Sequence, residues 1–523
     1  MYTSPYPDEV IPAVSVYEFL FGDIMADELG RVALVDGASS VQTSYQQLVG
    51  QINGIAGALA ARGVNVGDIV ALLCPNLPIF AAVFHGILRS GATATTINAL
   101  YTPEEISTQL RDSGATFFFT ISPMLAQAKA AAAAVGIDDE HLIVIDGAEG
   151  HPSLADLLAQ QAPAPDVHFD PSSHIAVLPY SSGTTGTAKG VKLSHTNLVA
   201  NVIQCKPVLD VEKDDRVLAL LPFFHIYGMT VLLNIALRNR ARLVTMPKFD
   251  LVEFLRIIQD EKCSYLFIAP PIAVALAKHP IIDSYDLSSV RAILSGAAPF
   301  DTALAEAVAK RLNTRVKQGY GMTEMSPVSH VIPPDRDDIP LGSIGVPIAN
   351  IQCKLIDVET GEEITTTVGM SAPGELLVRG PNVMLGYLGR DEATRDTLDA
   401  DGFLHTGDIA SVDENGVFWI VDRLKELIKY KGYQVAPAEL EAMLLTHPDI
   451  ADAAVVGAPD ADGQEVPKAF VVKTADSTLN EEGVMSFVAE RVAPHKKIRQ
   501  VAFIGVVPKS SSGKILRKDL KGT

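Results

Sequence analysis

The chain predicts an α/β protein with a large N-terminal domain of doubly wound α/β subdomains plus a small β-rich subdomain, and a small α+β C-terminal domain. Three observations predict it. Apolar runs alternate with helical stretches through the first 150 residues, and a second alternation of the same kind follows beyond residue 215. From about Ile351 to Ile420 the pattern then shortens to strands separated by turn signals. A length of 523 residues is about three domains' worth of chain.

In the first alternation, Asp68–Cys74 reads as a strand ending at Pro75-Asn76, Ile79–Leu88 as a helix and Thr93–Ile97 as a strand. Pro103-Glu104-Glu105 opens a further helix, with proline early and acids in the first turn where the helix dipole favours them. Thr116–Ile121 and Leu142–Ile145 read as strands flanking an alanine-rich helix, Met124–Val135, whose Ala130–Ala134 tract indicates close packing. This β-α-β-α-β-α-β order points to a doubly wound sheet. Gln161–Pro165 reads as a surface linker. The second alternation places strands at Val217–Leu221, Arg242–Met246, Tyr265–Ile268 and Val290–Leu294. Turn signals at Glu359-Thr360-Gly361 and Asp413-Glu414-Asn415-Gly416 mark the β-rich part. About 100 residues follow Asp422, within the size of a separate domain, so the expected units are 1–422 and 423–523.

Composition narrows the function. The chain is 48% hydrophobic, which provides for a sizeable core, and 42 Lys and Arg against 62 Asp and Glu give a net charge of −20. So acidic a chain does not bind nucleic acid or an anionic membrane through its overall field, and basic groups for anionic substrates must be gathered locally. Four widely spaced cysteines (Cys74, Cys205, Cys263, Cys353) fit a reduced, cytoplasmic setting better than a disulfide framework. The start of the chain lacks a basic n-region, so no signal peptide is expected. Val217–Leu237 carries no Asp, Glu, Lys or Arg, but Pro222, His225, Tyr227 and Gly228 interrupt it; a buried strand, a loop and a buried helix are expected there, without integral membrane association.

The strongest local signal is Tyr180-Ser181-Ser182-Gly183-Thr184-Thr185-Gly186-Thr187-Ala188-Lys189-Gly190. Its N–H and hydroxyl groups can surround a phosphate, with Lys189 adding charge. By composition alone the run is equally a flexible turn, and it lacks the Walker A spacing. Four further segments accompany it in order: Gly319-Tyr320-Gly321-Met322-Thr323-Glu324, Gly402–Asp408, Asp422–Gly432, and Pro508-Lys509-Ser510-Ser511-Ser512-Gly513-Lys514. With these, nearly the whole chain resembles the adenylate-forming enzymes: acyl-CoA synthetases, adenylation domains of peptide synthetases and beetle luciferases. Three stretches resemble 4-coumarate–CoA ligases most closely: Pro222–Gly228, Ser295-Gly296-Ala297-Ala298-Pro299, and Lys429 through Glu441. Thr187-Ala188 departs from the more usual Leu-Pro.

The resemblance implies ATP, Mg²⁺ and coenzyme A acting on a small carboxylic acid, through an acyl-AMP. It assigns Ser181, Ser182, Gly183, Thr184, Thr185, Gly186 and Lys189 to the β- and γ-phosphates, Thr323 to the α-phosphate and Glu324 to Mg²⁺. Read alone, Glu324 would be a solvated turn residue. Ala297, Gln318, Gly319, Tyr320 and Gly321 are implied around the nucleotide, with Asp408 and Arg423 at the ribose. Lys514, whose basic surroundings alone would suggest a frayed tail, is implied to bridge the substrate carboxylate and the α-phosphate. His225, which in isolation reads as a core histidine, is implied as a gate between acyl-adenylate and thiol. The acyl pocket is implied at His225, Tyr227, Val231, Leu294, Ala297, Gly319, Gly321, Met322, Pro327, Val328, Lys429 and Gln434, and the coenzyme A contacts at Lys248, Lys431 and Gly432. Because Lys429–Lys431 and Lys514 serve different half-reactions, the C-terminal domain is expected to be mobile, turning about a hinge at Lys425. Lys425→Pro should then impair thioester formation more than adenylation, as the two half-reactions assayed separately would show. Rival activities within the resemblance are a medium-chain fatty acyl-CoA ligase, a luciferase-like oxygenase and a carrier-protein-loading enzyme. A monomer or weak homodimer is expected.

Overall fold

Local chemistry starts the helix that the sequence predicts at Pro103, and two more that it did not signal. The Thr102 hydroxyl accepts the Glu105 N–H at 3.3 Å, and the Glu105 carboxylate accepts the Thr102 N–H at 2.8 Å, a reciprocal cap opening the helix Pro103–Ser113. Ser44 with Gln47 and Ser194 with Asn197 make the same device at the helices Tyr45–Ala61 and His195–Leu209. The computed structural model describes the chain except residues 182–187, 297–299, 301, 367, 431–432, 461–464, 476, 493, 511–512 and 522–523.

Two large sheets form the N-terminal body. The first runs in the order Gly386–Tyr387, Lys189–Ser194, Ile175–Val177, Thr93–Thr96, Ile69–Leu72, Phe117–Thr120, Leu142–Val144, and its last five strands are parallel. The four strands expected before residue 150 are all in it. Ala128, Ala131 and Ala132 of the helix Leu125–Val135 pack against Ile106 and Leu110, so the alanine tract is close-packed on one face, while its Ala130, Ala133 and Ala134 are exposed. The residues read as a linker are fastened: Arg89 Nη1 donates to the Pro165 carbonyl at 2.7 Å, and Gly57 leaves room for the Ala162 carbonyl, which would lie 2.0 Å from an added Cβ.

The second sheet runs Val346–Pro347, Val328–Val331, Arg315–Gly321, Ala292–Ser295, Tyr265–Ile268, Arg216–Ala219, Arg242–Thr245, Val32–Asp36, Gln42–Ser44. Its central six strands are parallel. Val32–Asp36, from far upstream, pairs with Arg242–Thr245. The apolar stretch after residue 216 resolves into a strand, a loop, a π-helix over Tyr227–Asn234 and a short α-helix, Ile235–Arg238. The expected buried helix is therefore π-wound over its first eight residues, a geometry associated with functional sites. Gly228 lies at its start, where an added Cβ would come within 2.1 Å of the Pro222 carbonyl. Among the described residues, no helix is long and apolar enough to cross a membrane. The four cysteines are buried and unpaired.

The β-rich part is an antiparallel sheet of Gln352–Ile356, Gly374–Arg379, Leu404–Val412 and Phe418–Arg423, extended by Glu363–Ile364 and by Tyr2–Thr3 from the start of the chain. The smaller C-terminal part has the hairpin Ile428–Tyr430/Tyr433–Val435 and a sheet of Ile450–Pro459, Glu465–Lys473 and Gln500–Phe503, with helices Pro437–Leu445 and Glu481–Ala489. It buries its own core, including Ile428, Leu440, Leu444, Val455, Val471, Val484 and Val488. The α/β class, the β-rich subdomain and the smaller α+β C-terminal part agree with the sequence.

Candidate active site

The site lies beyond the carboxyl ends of the parallel strands Ala292–Ser295 and Arg315–Gly321, where open α/β sheets bind ligands. Arg315–Gly321 continues into an antiparallel pairing with Val328–Val331, so the segment between, carrying Thr323 and Glu324, is the tip of a hairpin. Only glycine fits at Gly321, because an added Cβ would lie 2.2 Å from the Pro327 carbonyl. Thr323 and Glu324 are buried in a single 3₁₀ turn.

Glu324 gathers the phosphate-loop groups. Its Oε1 accepts hydrogen bonds from the Ser181 hydroxyl at 3.2 Å and the Tyr387 hydroxyl at 2.9 Å. Lys189 Nζ lies 4.9 Å from the centre of the Tyr387 ring, a cation–π approach. Ser181 and Lys189 are cross-strand partners, so the glycine-rich run is closed at its base. Tyr180 donates to Asp112 at 2.8 Å, and Arg390 pairs with the other oxygen of the same carboxylate at 2.8 Å, fastening that base to the segment after Tyr387. Ser182, Gly183, Thr184, Thr185, Gly186 and Ala297 lie outside the described residues, as do Lys431 and Gly432.

Asp408 and Arg423 are register partners on adjacent strands, and Arg423 Nε lies 3.2 Å from Asp408 Oδ1. The Tyr320 hydroxyl donates to Asp408 Oδ2 at 2.5 Å. Gly407, in the left-handed region at φ +69°, turns the chain just before Asp408, and its N–H is held by Glu375 at 3.1 Å. Burial pushes the Asp408 carboxyl up, while Arg423, the Tyr320 hydroxyl and Lys514 oppose it.

Lys514 is brought to this pair from the far end of the chain. Burial, with Arg423 beside it, pushes its amine down to about 8, against the pull of Glu426 and Asp408. The turn that presents it is tight: Gly513 donates to the Ser510 carbonyl at 2.9 Å, and the Lys514 N–H donates to the Ser510 hydroxyl at 3.2 Å. Gly513, at φ +83°, sits against the start of the helix Pro270–Lys278, where an added Cβ would lie 3.3 Å from Pro271 Cδ. The basic segment is thus docked on the N-terminal body.

Tyr227, Val231, Leu294 and Val328 lie in one apolar cluster with Met322 and Tyr320 packed against it, and Pro327 is buried beside Val328. Gly319 stands next to Leu294 and Val331 on the neighbouring strands. The Tyr227 ring covers Gly296, and its buried hydroxyl has no hydrogen-bond partner among the described residues. His225 is half-buried, its Nδ1 accepts the Tyr227 N–H at 3.3 Å, and burial pushes its imidazole down to about 4, so it is neutral at pH 7. Lys248 is exposed just after the strand Arg242–Thr245. Lys429 and Gln434 are backbone register partners in the hairpin, away in sequence from the other acyl candidates. Lys425 is exposed in the turn that follows Arg423. The Gln318 amide donates to the carbonyls of Leu341 at 2.7 Å and Ser343 at 2.5 Å, so this side chain fastens a neighbouring loop.

Sequence reading missed the asparagines that hold the Glu324 turn. Asn382 Nδ2 donates to the Met325 carbonyl at 2.6 Å, and Asn201 both donates to the Val328 carbonyl at 2.8 Å and accepts its N–H at 3.1 Å. Asn197 binds the carbonyls of Pro381 and Val383, and Gln204 that of Ala349. The signal was present: Asn197, Asn201 and Gln204 stand at i, i+4 and i+7 in a largely apolar helix, a polar stripe that must find partners when buried.

Comparison with known proteins agrees with this layout. The model of the AMP-binding enzyme matches residues 24–388, and that of the AMP-binding enzyme C-terminal domain matches residues 439–514. The chain is 41% identical to 4-coumarate--CoA ligase 1 of Solanum tuberosum, over all of this chain and 96% of that protein. It is 39% identical to the probable 4-coumarate--CoA ligase 1 of Dictyostelium discoideum, over 99% and 97%. ATP-bound MatB from Rhodopseudomonas palustris superposes with a TM-score of 0.88 at 28% identity, covering 98% of each chain. The anthranilate CoA ligase AuaEII in complex with anthranoyl-AMP gives 0.88 at 27% identity, covering 97% and 96%. The family models span most of the chain and the relatives match it over its whole length, so the chain belongs to the AMP-binding enzyme family.

Proposed function

We propose that the chain is an ATP-dependent carboxylate–CoA ligase acting on aromatic propenoic acids of the 4-coumarate and cinnamate type. The observation that supports this is the nearness of Lys514 to the Asp408–Arg423 pair, close enough for both charges to act on its amine, as a cation serving the union of α-phosphate and acid would need. The whole-length relatives named 4-coumarate--CoA ligase support the acid class.

In the first half-reaction a carboxylate oxygen attacks the α-phosphorus and pyrophosphate leaves. Two anions converge, so positive charge must be in place beforehand. Lys514 supplies it at the joining point, Thr323 donates to the α-phosphate, and Lys189 with the loop from Ser181 holds the β- and γ-phosphates. Mg²⁺ fits at Glu324: a buried carboxylate among the Ser181 and Tyr387 hydroxyls offers hard oxygen donors, and one carboxylate plus substrate phosphates is the usual way this ion is held. Bound there, it would neutralise charge on the phosphate oxygens. Asp408 accepts from the ribose hydroxyls and Arg423 donates to them.

In the second half-reaction the coenzyme A thiol loses its proton, attacks the acyl carbonyl and releases AMP. Lys248, Lys431 and Gly432 contact coenzyme A, and neutral His225 lets the thiol pass. The C-terminal part turns about Lys425 between the two steps. The protein works in the cytoplasm as a monomer or weak homodimer.

The acid pocket follows from its lining. The unpartnered Tyr227 hydroxyl is available to one ring substituent, while Val231 offers nothing to a second. Measured kcat/KM should therefore favour cinnamate and 4-coumarate over caffeate by about tenfold, the modest discrimination an apolar lining gives. A thioester assay across cinnamates, benzoates and C6–C12 fatty acids tests the assignment; turnover of fatty acids in preference to every aromatic acid would overturn it.

The lysine also sets a pH dependence. A Lys514 amine near 8 is protonated below that pH and loses its charge above it. In the adenylation step, kcat/KM for ATP, which reports the free enzyme, should fall as pH rises through about 8. Lys514→Arg should remove that alkaline limb, because a guanidinium keeps its charge.

A further inference from the structure

The helix Pro437–Leu445 has no cap of its own. Its N-cap is Ala436, which has no hydrogen-bonding side chain, and its first residue is a proline without an N–H. The first free donor is the Ala438 N–H, and it is taken by Asp422, sixteen residues upstream: Asp422 Oδ2 accepts it at 3.0 Å. The other oxygen accepts the Arg423 N–H at 2.6 Å. Asp422 is 4% exposed and belongs to the strand Phe418–Arg423, where it pairs with Ile409 of the β-rich sheet. A carboxylate fixed in the N-terminal body therefore caps a helix of the C-terminal part.

Lys425, exposed in its turn, stands between the two halves of this contact. The neighbouring ion pairs are different. Arg517, three residues after Lys514, pairs with Glu426, reaches Glu441 at 2.7 Å and donates to the Val455 carbonyl at 3.2 Å. All of these residues follow Lys425, so a rotation there carries them together. The same rotation separates Asp422 from Ala438.

We infer that Asp422 is a positioning residue: by capping the helix Pro437–Leu445 from across the swivel, it holds the C-terminal part in the pose that presents Lys514, and release of this cap belongs to the changeover between half-reactions. The inference rests on the proposed roles of Lys514 and Lys425. It separates Asp422 from Arg517, which keeps the lysine turn attached to its own domain in either pose.

The test measures both half-reactions in the full-length protein, with 4-coumarate or cinnamate as the acid. Adenylation is followed as acid-dependent ATP–pyrophosphate exchange, and thioester formation from synthetic acyl-AMP and coenzyme A. Asp422→Ala should lower exchange about fivefold, the size of a lost helix cap, while thioester formation is unchanged or faster. Asp422→Asn keeps an acceptor oxygen and should restore exchange to within about twofold of wild type. A merely structural role would lower both reactions together, so equal loss in Asp422→Ala overturns the inference, as does exchange at the wild-type rate. A wild-type protein without acid-dependent exchange would instead overturn the functional reading, and this inference with it.

Discussion

Lys514→Ala is expected to lower acyl-adenylate formation by about 10²–10³-fold, the range seen when one preorganised donor is removed from developing negative charge. The protein should remain folded, because the lysine is half-buried at a docking surface and the core of the C-terminal part lies elsewhere. Thioester formation from supplied acyl-AMP should be nearly unaffected, since under the proposed turn about Lys425 that step no longer draws on Lys514. Quenched-flow measurement of acyl-AMP, set against a thioester assay with synthetic adenylate, separates the two. Lys514→Arg should recover part of the loss: it restores charge but cannot place a compact ammonium in the same space.

Asp408→Ala carries the second large effect, and it falls on both stability and nucleotide binding. The carboxylate is 4% exposed and anchors the Tyr320 hydroxyl and Arg423 together. Its removal leaves a cation and a phenol without their acceptor. Breaking a buried pair costs about 3–5 kcal/mol, and the low end applies because a third of the Arg423 side chain reaches water. Denaturant unfolding should show that loss of about 3 kcal/mol. KM for ATP should rise about 100-fold, as expected when hydrogen bonds to a charged group are lost. Asp408→Asn should lie between, keeping one acceptor oxygen for Tyr320.

The sequence was legible where the information is local. The strands Ile69–Leu72 and Phe117–Thr120 are short, largely apolar runs and Thr93–Thr96 a mostly β-branched one, each next to a helix signal, and the reciprocal cap at Thr102 lies within four residues of its partner. It was illegible where pairing is long-range. Nothing near Val32–Asp36 or Tyr2–Thr3 says that one joins a strand beginning at Arg242 and the other a strand beginning at Gln352. The π-winding over Tyr227–Asn234 was hidden for a related reason, because an apolar run reads alike in α- and π-geometry. In the site, chemically distinctive residues such as Glu324, Asp408 and Lys514 stood out by motif. The groups that position them did not. Asn382 and Asp422 act through backbone atoms remote in sequence and leave no local trace, and Asn201 shows only as one member of a polar helix stripe whose partner the sequence does not name.

The joining of an acid to AMP before any thiol takes part is the step on which every other role depends. It is tested most directly by incubating the protein with ATP, Mg²⁺, 4-coumarate and labelled pyrophosphate in the absence of coenzyme A. Label should enter ATP only when the acid is present, with the rate collapsing in Lys514→Ala. Label exchange that required coenzyme A, or ATP cleavage to ADP and phosphate in place of exchange, would contradict it.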